Sequence, residues 1–328
     1  MKVSIALCTY NGERYIQEQL DSLLSQTRLP DEIIVSDDGS TDQTVSIVKA
    51  TLSALNIKHH IYTPLEKLGV FKNFEFCMSQ CTGDVIFPCD QDDIWKPTKI
   101  ERHLSEHLKH PKMNLVYSNA DVILKDIDHY LYPLWNPKEI ASNRYHRLSN
   151  IVYKGRSIAG FCMSIKKDFF NAILPIPNQV YHDDWCATCA AVSNSIIGIP
   201  ESLAYYRQHG DNVVGIVRGS KLSYLKSLFT NVPFYVKSDE YIAERNQTVL
   251  SSLVKVDCLK SYIDPKECQE MIEFYSNRSQ YTQKPFGNAY RGLLENLKKG
   301  RYRYHHGFFT FLKDVYNLIF MKLKFNLK

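Results

Sequence analysis

The chain's polar residues gather in four clusters whose types and spacing can do chemistry. The first is Asp90-Gln91-Asp92-Asp93, which follows the apolar run Val85-Ile86-Phe87 and precedes Trp95 and Pro97. Asp90 and Asp92, one residue apart, can address one hard cation whose shell is completed by other oxygens and water. A divalent cation held there can bridge two phosphates and neutralise the charge that develops as a diphosphate leaves. In isolation such a triplet reads first as a solvated turn or a helix cap; at a strand's carboxyl end, with two other polar loops converging there, the chemical reading leads. The second cluster is Asp37-Asp38-Gly39-Ser40. An Asp or Ser ahead of a helix can simply cap it; the chemical alternative is a carboxylate that accepts the N3 proton of a pyrimidine, which suits uracil and thymine alike. The third is His182-Asp183-Asp184-Trp185. Two acids at a helix start compensate its dipole, or one acts as general base and takes the proton of a hydroxyl attacking an anomeric carbon. The fourth is Tyr206-Arg207-Gln208-His209-Gly210-Asp211-Asn212. Arg207 and His209 can hold a diphosphate, and a neutral His209 can ligate a metal.

The elements that must position these clusters follow from apolar periodicity. Val3 to Leu7, Ile33 to Val35, His59 to Tyr62 and Val85 to Phe87 read as four strands. Between them Ile16, Leu20, Leu23 and Leu24 recur at helical spacing, as do Val45, Val48, Leu52 and Leu55, with Ser40 and Gln43 at capping-box distance. Phe71 to Cys81 suits a helix, and Pro97 opens another with Ile100, Leu104 and Leu108 on one face. This alternation predicts an α/β fold with a mostly parallel sheet covered by helices on both faces. Ligands in such sheets collect at the carboxyl ends of strands. Thr9-Tyr10-Asn11, Asp37-Asp38 and Asp90-Gln91-Asp92-Asp93 all fall there. Beyond, Val116-Tyr117, Asp121 to Leu124, Phe161 to Ile165 and Ile196 to Ile199 read as strands, and Asp183 to Ser193 as a helix. After Asp211 the chain turns to long, charged, helix-leaning stretches.

The bulk properties narrow the function classes. A chain of 328 residues holds one large domain or two ordinary ones. A formal net charge of +5 without a basic stripe argues against a nucleic-acid partner. Met1 leads straight into a strand, so no signal peptide is expected, and no apolar run is long enough to span a membrane. The nine scattered cysteines are then free thiols of a reducing cytoplasm, and Cys186-Ala187-Thr188-Cys189, lacking a second pair, reads as two small buried residues. His59-His60 and His305-His306 read as surface residues. From Gly307 to Lys328 aromatic and aliphatic residues interleave with Lys313, Lys322, Lys324 and Lys328, next to Lys298-Lys299-Gly300-Arg301-Tyr302-Arg303. A helix of this kind either packs on the core or docks peripherally on an anionic membrane face.

The blocks in their order resemble family 2 glycosyltransferases. Val3 to Gly12, Ile33 to Thr44, Gly69 to Asn73, Gly83-Asp84 and Asp90 to Trp95 match that family's successive blocks; His182 to Trp185 and Tyr206 to His209 are similar to late motifs of its rhamnosyltransferase-like branch. The resemblance spans about residues 1 to 215. It implies a GT-A fold over 1–215, with a nucleotide-sugar-binding half (1–118) and an acceptor half (119–215), followed by a mainly helical region, 216–328. It implies Thr9, Tyr10 and Asp38 around the base, with Asn11, Gln91 and Arg207 also on the donor, Asp90 near the sugar-phosphate, Asp92 on a Mn2+ or Mg2+ ion, and His209 near metal and diphosphate. It implies Asp183 as base, although Asp184 stands where the branch often carries an aromatic residue, so either aspartate can fill the role. The implied activity is an inverting hexosyl transfer from a dTDP- or UDP-sugar, dTDP-rhamnose included, to a glycan acceptor such as a polysaccharide, lipid-linked oligosaccharide or glycoprotein glycan. Two rivals are a donor-binding but inactive partner of another glycosyltransferase and a sugar nucleotidyltransferase; the latter needs a Gly-rich phosphate loop, and Cys8-Thr9-Tyr10-Asn11-Gly12 offers one glycine.

Overall fold

Val3–Thr9 (β1), Glu32–Asp37 (β2) and Val85–Cys89 (β4) are buried along their whole lengths, as unbroken apolar strands covered on both faces should be. The computed structural model describes residues 1–124, 126–141, 158–209, 232–281, 283–304 and 308–325. Lys58–Tyr62 (β3) is half-exposed and lies at the sheet's edge. Four helices intervene in this first half: Ile16–Leu24 (α1), Thr44–Ser53 (α2), Gly69–Gln80 (α3) and Lys99–Lys109 (α4). Then follow Ile94–Trp95 (β5, ahead of α4), Leu115–Leu124 (β6), Tyr130–Pro133 (β7), Pro137–Ala141 (α5), Met163–Lys166 (β8), Lys167–Ala172 (α6), His182–Val192 (α7) and Ile196–Gln208 (β9).

Among the described residues the strands form one mixed sheet in the order β3-β2-β1-β4-β8-β6-β9-β5, with β7 beside β6. β1 pairs parallel with β2 and β4, β2 with β3, and β6 with β9. The short strands β8, β7 and β5 run against their neighbours. All the long strands therefore point the same way, and their carboxyl ends share one edge. The expected α/β architecture, a mostly parallel sheet with flanking helices, is what the chain adopts.

Several local expectations differ from what forms. Ser40 and Gln43 make no capping box: Ser40 Oγ donates to Asp37 instead, and the Thr44 amide is taken by Asp42 Oδ1. The buried face of α4 is Lys99, Ile100, His103 and His107, while Leu108 lies in solvent. Two histidines turn inward because both rings share the buried Ser164 hydroxyl, at 2.9 and 3.0 Å. Gly160–Cys162 is a turn of 3-10 helix, and the strand starts only at Met163. The two segments read at 116–117 and 121–124 are one strand, β6, and β9 runs on to Gln208. Opposite β6, the register of β9 jumps from Ile199 to Ser202. Pro200, which has no N–H to give a ladder, sits in that bulge. Cys186 and Cys189 are buried on α7, as small core residues. His59 is half-buried and His60 exposed; His305-His306 lie outside the described residues.

The chain divides into two compact units, one built from the elements above and the other from the described residues beyond 231. The second is helical: Val232–Leu253 (α8), Pro265–Ser279 (α9), Phe286–Lys298 (α10) and Phe308–Phe325 (α11), with 3-10 turns at Asp257–Tyr262 and Arg301–Tyr304. Asp264 caps α9 through the Lys266 and Glu267 amides, with Pro265 in the first turn. Its core holds a fully buried Arg278–Asp314 ion pair, to which Tyr302 adds its hydroxyl.

Candidate active site

The loops after β1, β2 and β4 meet the end of β9, with His209, at the shared sheet edge, and side chains stitch them together. Thr9 is buried, and its hydroxyl donates to Asp37 Oδ2 at 2.7 Å. Asp37 Oδ1 accepts the Gly39 and Ser40 amides, so this acid ties its own turn, which Gly39 makes possible at φ 84°. Asp38 faces away from it: its two oxygens accept the Leu68 amide at 2.6 Å and the Gly69 amide at 3.0 Å. Tyr10 is exposed, and Lys67 Nζ both donates to its hydroxyl (2.8 Å) and lies over its ring. Asn11, at φ 47°, bonds Ser40 and Thr41 across the next loop. Gln91 is bonded to the backbone of Tyr10 at both ends of its amide.

The acidic run Asp90–Asp93 is set against the end of β9 because β5 pairs with it, Ile94 opposite Tyr205 and Trp95 opposite Ala204. This brings Asp92 Oδ2 to 2.9 Å from His209 Nε2. Tyr15 stacks on the His209 ring at 4.5 Å. Arg207 is almost wholly buried; its Nε donates to the Asp92 carbonyl, a terminal nitrogen to Glu18 Oε2 at 2.5 Å, and the guanidinium covers the Tyr15 ring. Its amide donates to the buried Asp93 carboxylate. Desolvation first, and then the charges of Asp92 and Asp183, push the Asp90 carboxyl up to about 8. Burial, Asp92 and Asp90 likewise hold Asp93 well above the ordinary carboxylate range. Like charges crowded in this way favour a bound cation.

Asp183 and Asp184 open α7, and the Asp184 amide donates to Asp183 Oδ1 at 2.7 Å. Asp183 is half-exposed and its charge reaches Asp90; Asp184 is buried and its charge acts on His182. His182 stacks on Phe74 with ring centres 3.9 Å apart, and burial lowers its imidazole to about 3, so it stays neutral. Trp185 Nε1 donates to the Ile173 carbonyl and fixes the start of the helix.

Thr9, Tyr10, Asn11, Asp38, Asp90, Gln91, Asp92, Asp183, Arg207 and His209 thus all lie in or under the loops of one sheet edge, but not all face outward. Gly210, Asp211 and Asn212 are outside the described residues. Sequence reasoning passed over Tyr15 and Glu18. Their signal was their place in the first turn after the β1 loop, three residues apart, hence on one helix face. Among the described residues no three His, Cys, Asp or Glu side chains gather as a ready-made metal cage. The Asp92–His209 pair supplies a carboxylate oxygen and an imidazole nitrogen, a donor set that fits a Mn2+ or Mg2+ ion completing its shell with phosphate and water.

Residues 4–174 match the profile of Glycosyl transferase family 2, and the chain belongs to that family. It is 28% identical to an uncharacterized glycosyltransferase of Nostoc sp. over 65% of this chain and 66% of that one. It is 27% identical to a dTDP-rhamnosyl transferase of Shigella flexneri, over 78% and 89%. The chain spans two thirds or less of the length of the first curated relatives it matches. Its fold is similar to that of S. aureus TarS 1-349, solved in complex with UDP-GlcNAc, with a TM-score of 0.60 at 17% identity over 99% of this chain and 92% of that one. A mannosyltransferase of Pyrobaculum calidifontis, solved with GDP-Man and Mn2+, gives 0.51 at 15% identity over 98% and 86%.

Proposed function

We propose that this chain transfers a hexosyl group, with inversion, from a dTDP- or UDP-sugar to a hydroxyl of a glycan acceptor. The observation that carries the reading is the Asp92–His209 contact at 2.9 Å beside Asp90 and Asp183, all at the carboxyl edge of the sheet. Asp92 and His209 would hold a Mn2+ or Mg2+ ion, which would offset the charge of the departing nucleoside diphosphate. Asp90 lies toward the sugar-phosphate. Asp183 removes the acceptor proton as the oxygen attacks C1 from the face opposite the diphosphate, so one displacement inverts the anomeric centre. Its partial exposure suits contact with an acceptor, and Asp184 is spent inside the protein.

Tyr10 offers an exposed ring for a base, while Asp38 reaches it only with the lone pairs its two amide donors leave over. Arg207 acts through its hold on Asp92 and Glu18. A dTDP-rhamnosyl transferase is among the relatives, and the similarly folded TarS was solved with UDP-GlcNAc, which suits a dTDP- or UDP-sugar. The amylovoran biosynthesis glycosyltransferase of Erwinia amylovora, 27% identical over 68% of this chain and 82% of that one, favours a polysaccharide acceptor. The basic, apolar C-terminal helix favours a place at the cytoplasmic face of a membrane. A panel of dTDP- and UDP-sugars assayed for nucleotide release, with and without acceptor glycans and Mn2+, tests the reading. Acceptor-dependent release supports it; saturable donor binding with no release under any acceptor would instead leave a binding protein.

A further inference from the structure

Gln91 stands between Asp90 and Asp92 in sequence, and its side chain is bound to the main chain of Tyr10. Its Oε1 accepts the Tyr10 amide at 2.9 Å, and its Nε2 donates to the Tyr10 carbonyl at 2.9 Å. The amide thus pairs with the main chain of Tyr10 as a neighbouring strand residue would. The orientation is unambiguous, because a backbone N–H requires the oxygen and a backbone carbonyl requires the nitrogen. The seat is cut to fit. A Cβ on Gly12 would lie 2.2 Å from Gln91 Oε1 and 2.3 Å from its Cδ, so the amide rests where a side chain at residue 12 would be. The Gly12 amide in turn donates to Thr44 Oγ1 at 2.7 Å, which fixes the far side of the loop.

We infer that Gln91 is a latch that sets the separation between the base-contacting loop of Tyr10 and the acidic run of Asp90 and Asp92. It is a positioning residue and does not touch the donor. The inference rests on the proposed donor reading. A nucleoside diphosphate must be gripped at its base and at its phosphates together, so a slack joint between the two grips weakens the whole ligand. Few other residues fill the place. Glu keeps the acceptor but turns an oxygen toward the Tyr10 carbonyl, Asn is one methylene short, and Ala leaves both Tyr10 groups to water.

The test is the dissociation constant of UDP and of dTDP in Mn2+, with donor and acceptor KM and kcat, for wild type, Gln91→Glu, Gln91→Ala, Gly12→Ala and the double variant Gly12→Ala/Gln91→Ala. Loss of two hydrogen bonds is expected to weaken nucleotide binding and raise donor KM roughly tenfold. Saturating donor should restore kcat, and acceptor KM should stay put. Gly12→Ala alone should do at least as much harm, because its methyl group collides with the latch. Adding Gln91→Ala should remove the collision, so that the double variant binds no worse than Gln91→Ala, a non-additivity that only the contact predicts. Melting temperatures of the unliganded variants should show the same coupling. Wild-type nucleotide binding in Gln91→Ala, or strictly additive effects at residues 12 and 91, overturns the latch while leaving the functional reading intact. If the wild type itself binds neither nucleotide, the functional reading fails and the latch's role falls with it.

Discussion

The Asp92 carboxylate and the His209 imidazole meet at 2.9 Å although they stand 117 positions apart in the sequence. The meeting is arranged by backbone: β5 follows Asp90–Asp93 directly and pairs with the last part of β9, which sets Asp92 beside His209. Arg207 then locks the junction by donating to the Asp92 carbonyl. A cation seated between these groups should therefore be required for donor binding. Isothermal titration with UDP or dTDP should show binding in Mn2+ that excess EDTA abolishes, and Asp92→Asn should lose both binding and turnover. Undiminished activity in EDTA would remove the metal from the reading.

The two acids of α7 should separate cleanly by substitution. Asp183→Asn is expected to fold and bind donor but to transfer at least about a hundredfold more slowly, the lower scale for one general base. Asp184→Asn, in a buried setting beside His182, should show its main effect on stability. The check is single-turnover transfer beside the melting temperature of each variant. A fast Asp183→Asn with a dead but fully stable Asp184→Asn would reverse the assignment.

Far from the site, Glu32 ties the amino ends of three strands. Its oxygens accept from Ser4 Oγ, from Lys58 Nζ and from both the amide and the hydroxyl of Thr82. Burial on its own would raise this carboxyl; the hydrogen bonds, Ser4 first, outweigh it and bring it from 4.5 down to about 2. A carboxyl that is more acidic folded than unfolded stabilises the fold above the unfolded value, and that contribution is lost as pH falls toward the folded one. Wild type should therefore exceed Glu32→Gln in melting temperature most clearly above about pH 5, with the gap closing as pH drops from 4.5 toward 2. A gap that does not vary with pH would contradict this account.

The alternation of apolar strands and amphipathic helices made the first half of the fold legible, because buried parallel strands such as Val3–Thr9 must be apolar throughout. That the acid clusters would gather at one sheet edge was legible for a related reason: strand ends in such sheets collect polar loops. What stayed hidden were choices made between distant segments. The inward histidines of α4 depend on Ser164, and the reach of β9 depends on a bulge at Pro200 opposite β6. Arg207 shows the same limit. Its type suggests a phosphate ligand; that its Nε also binds the Asp92 carbonyl, and a terminal nitrogen Glu18, is settled by segments far away in sequence. No local pattern announces these partners.

In the helical unit the decisive pair is Arg278 and Asp314, at 2% and 0% side-chain exposure. Two nearly parallel hydrogen bonds, at 2.9 and 3.0 Å, join them, and Tyr302 donates a third at 3.1 Å. Removing one partner strands the other charge without water, which costs about 3–5 kcal/mol for a buried pair. Asp314→Ala should lower the denaturation midpoint of this unit by that order, followed by circular dichroism, whereas replacing both residues with apolar ones of similar size should recover much of it. A loss below about 1 kcal/mol would fit only a solvated pair.

The same helix, α11, bears on the membrane. Its inner face is Thr310, Phe311, Asp314, Asn317 and Leu318, so the one acid of the segment is consumed internally. Leu312, Tyr316 and Ile319 are left exposed at one-turn spacing, and Lys322, Lys324 and Lys328 follow in sequence. Upstream, the basic run is weaker than its composition suggests, since Arg301 is buried against Glu273 and Lys299 pairs with Glu295. No helix among the described residues is long and apolar enough to cross a bilayer. The contact expected is therefore peripheral, shallow and sensitive to salt. The intact chain should co-sediment with vesicles rich in anionic lipid at low salt, less so at moderate salt, and hardly at all with zwitterionic vesicles. Leu312→Asp with Ile319→Asp, both at exposed positions, should abolish the binding while leaving the melting temperature in place. Indifference of the wild type to anionic vesicles, or unchanged binding by the double variant, would assign the helix to packing within its own unit alone.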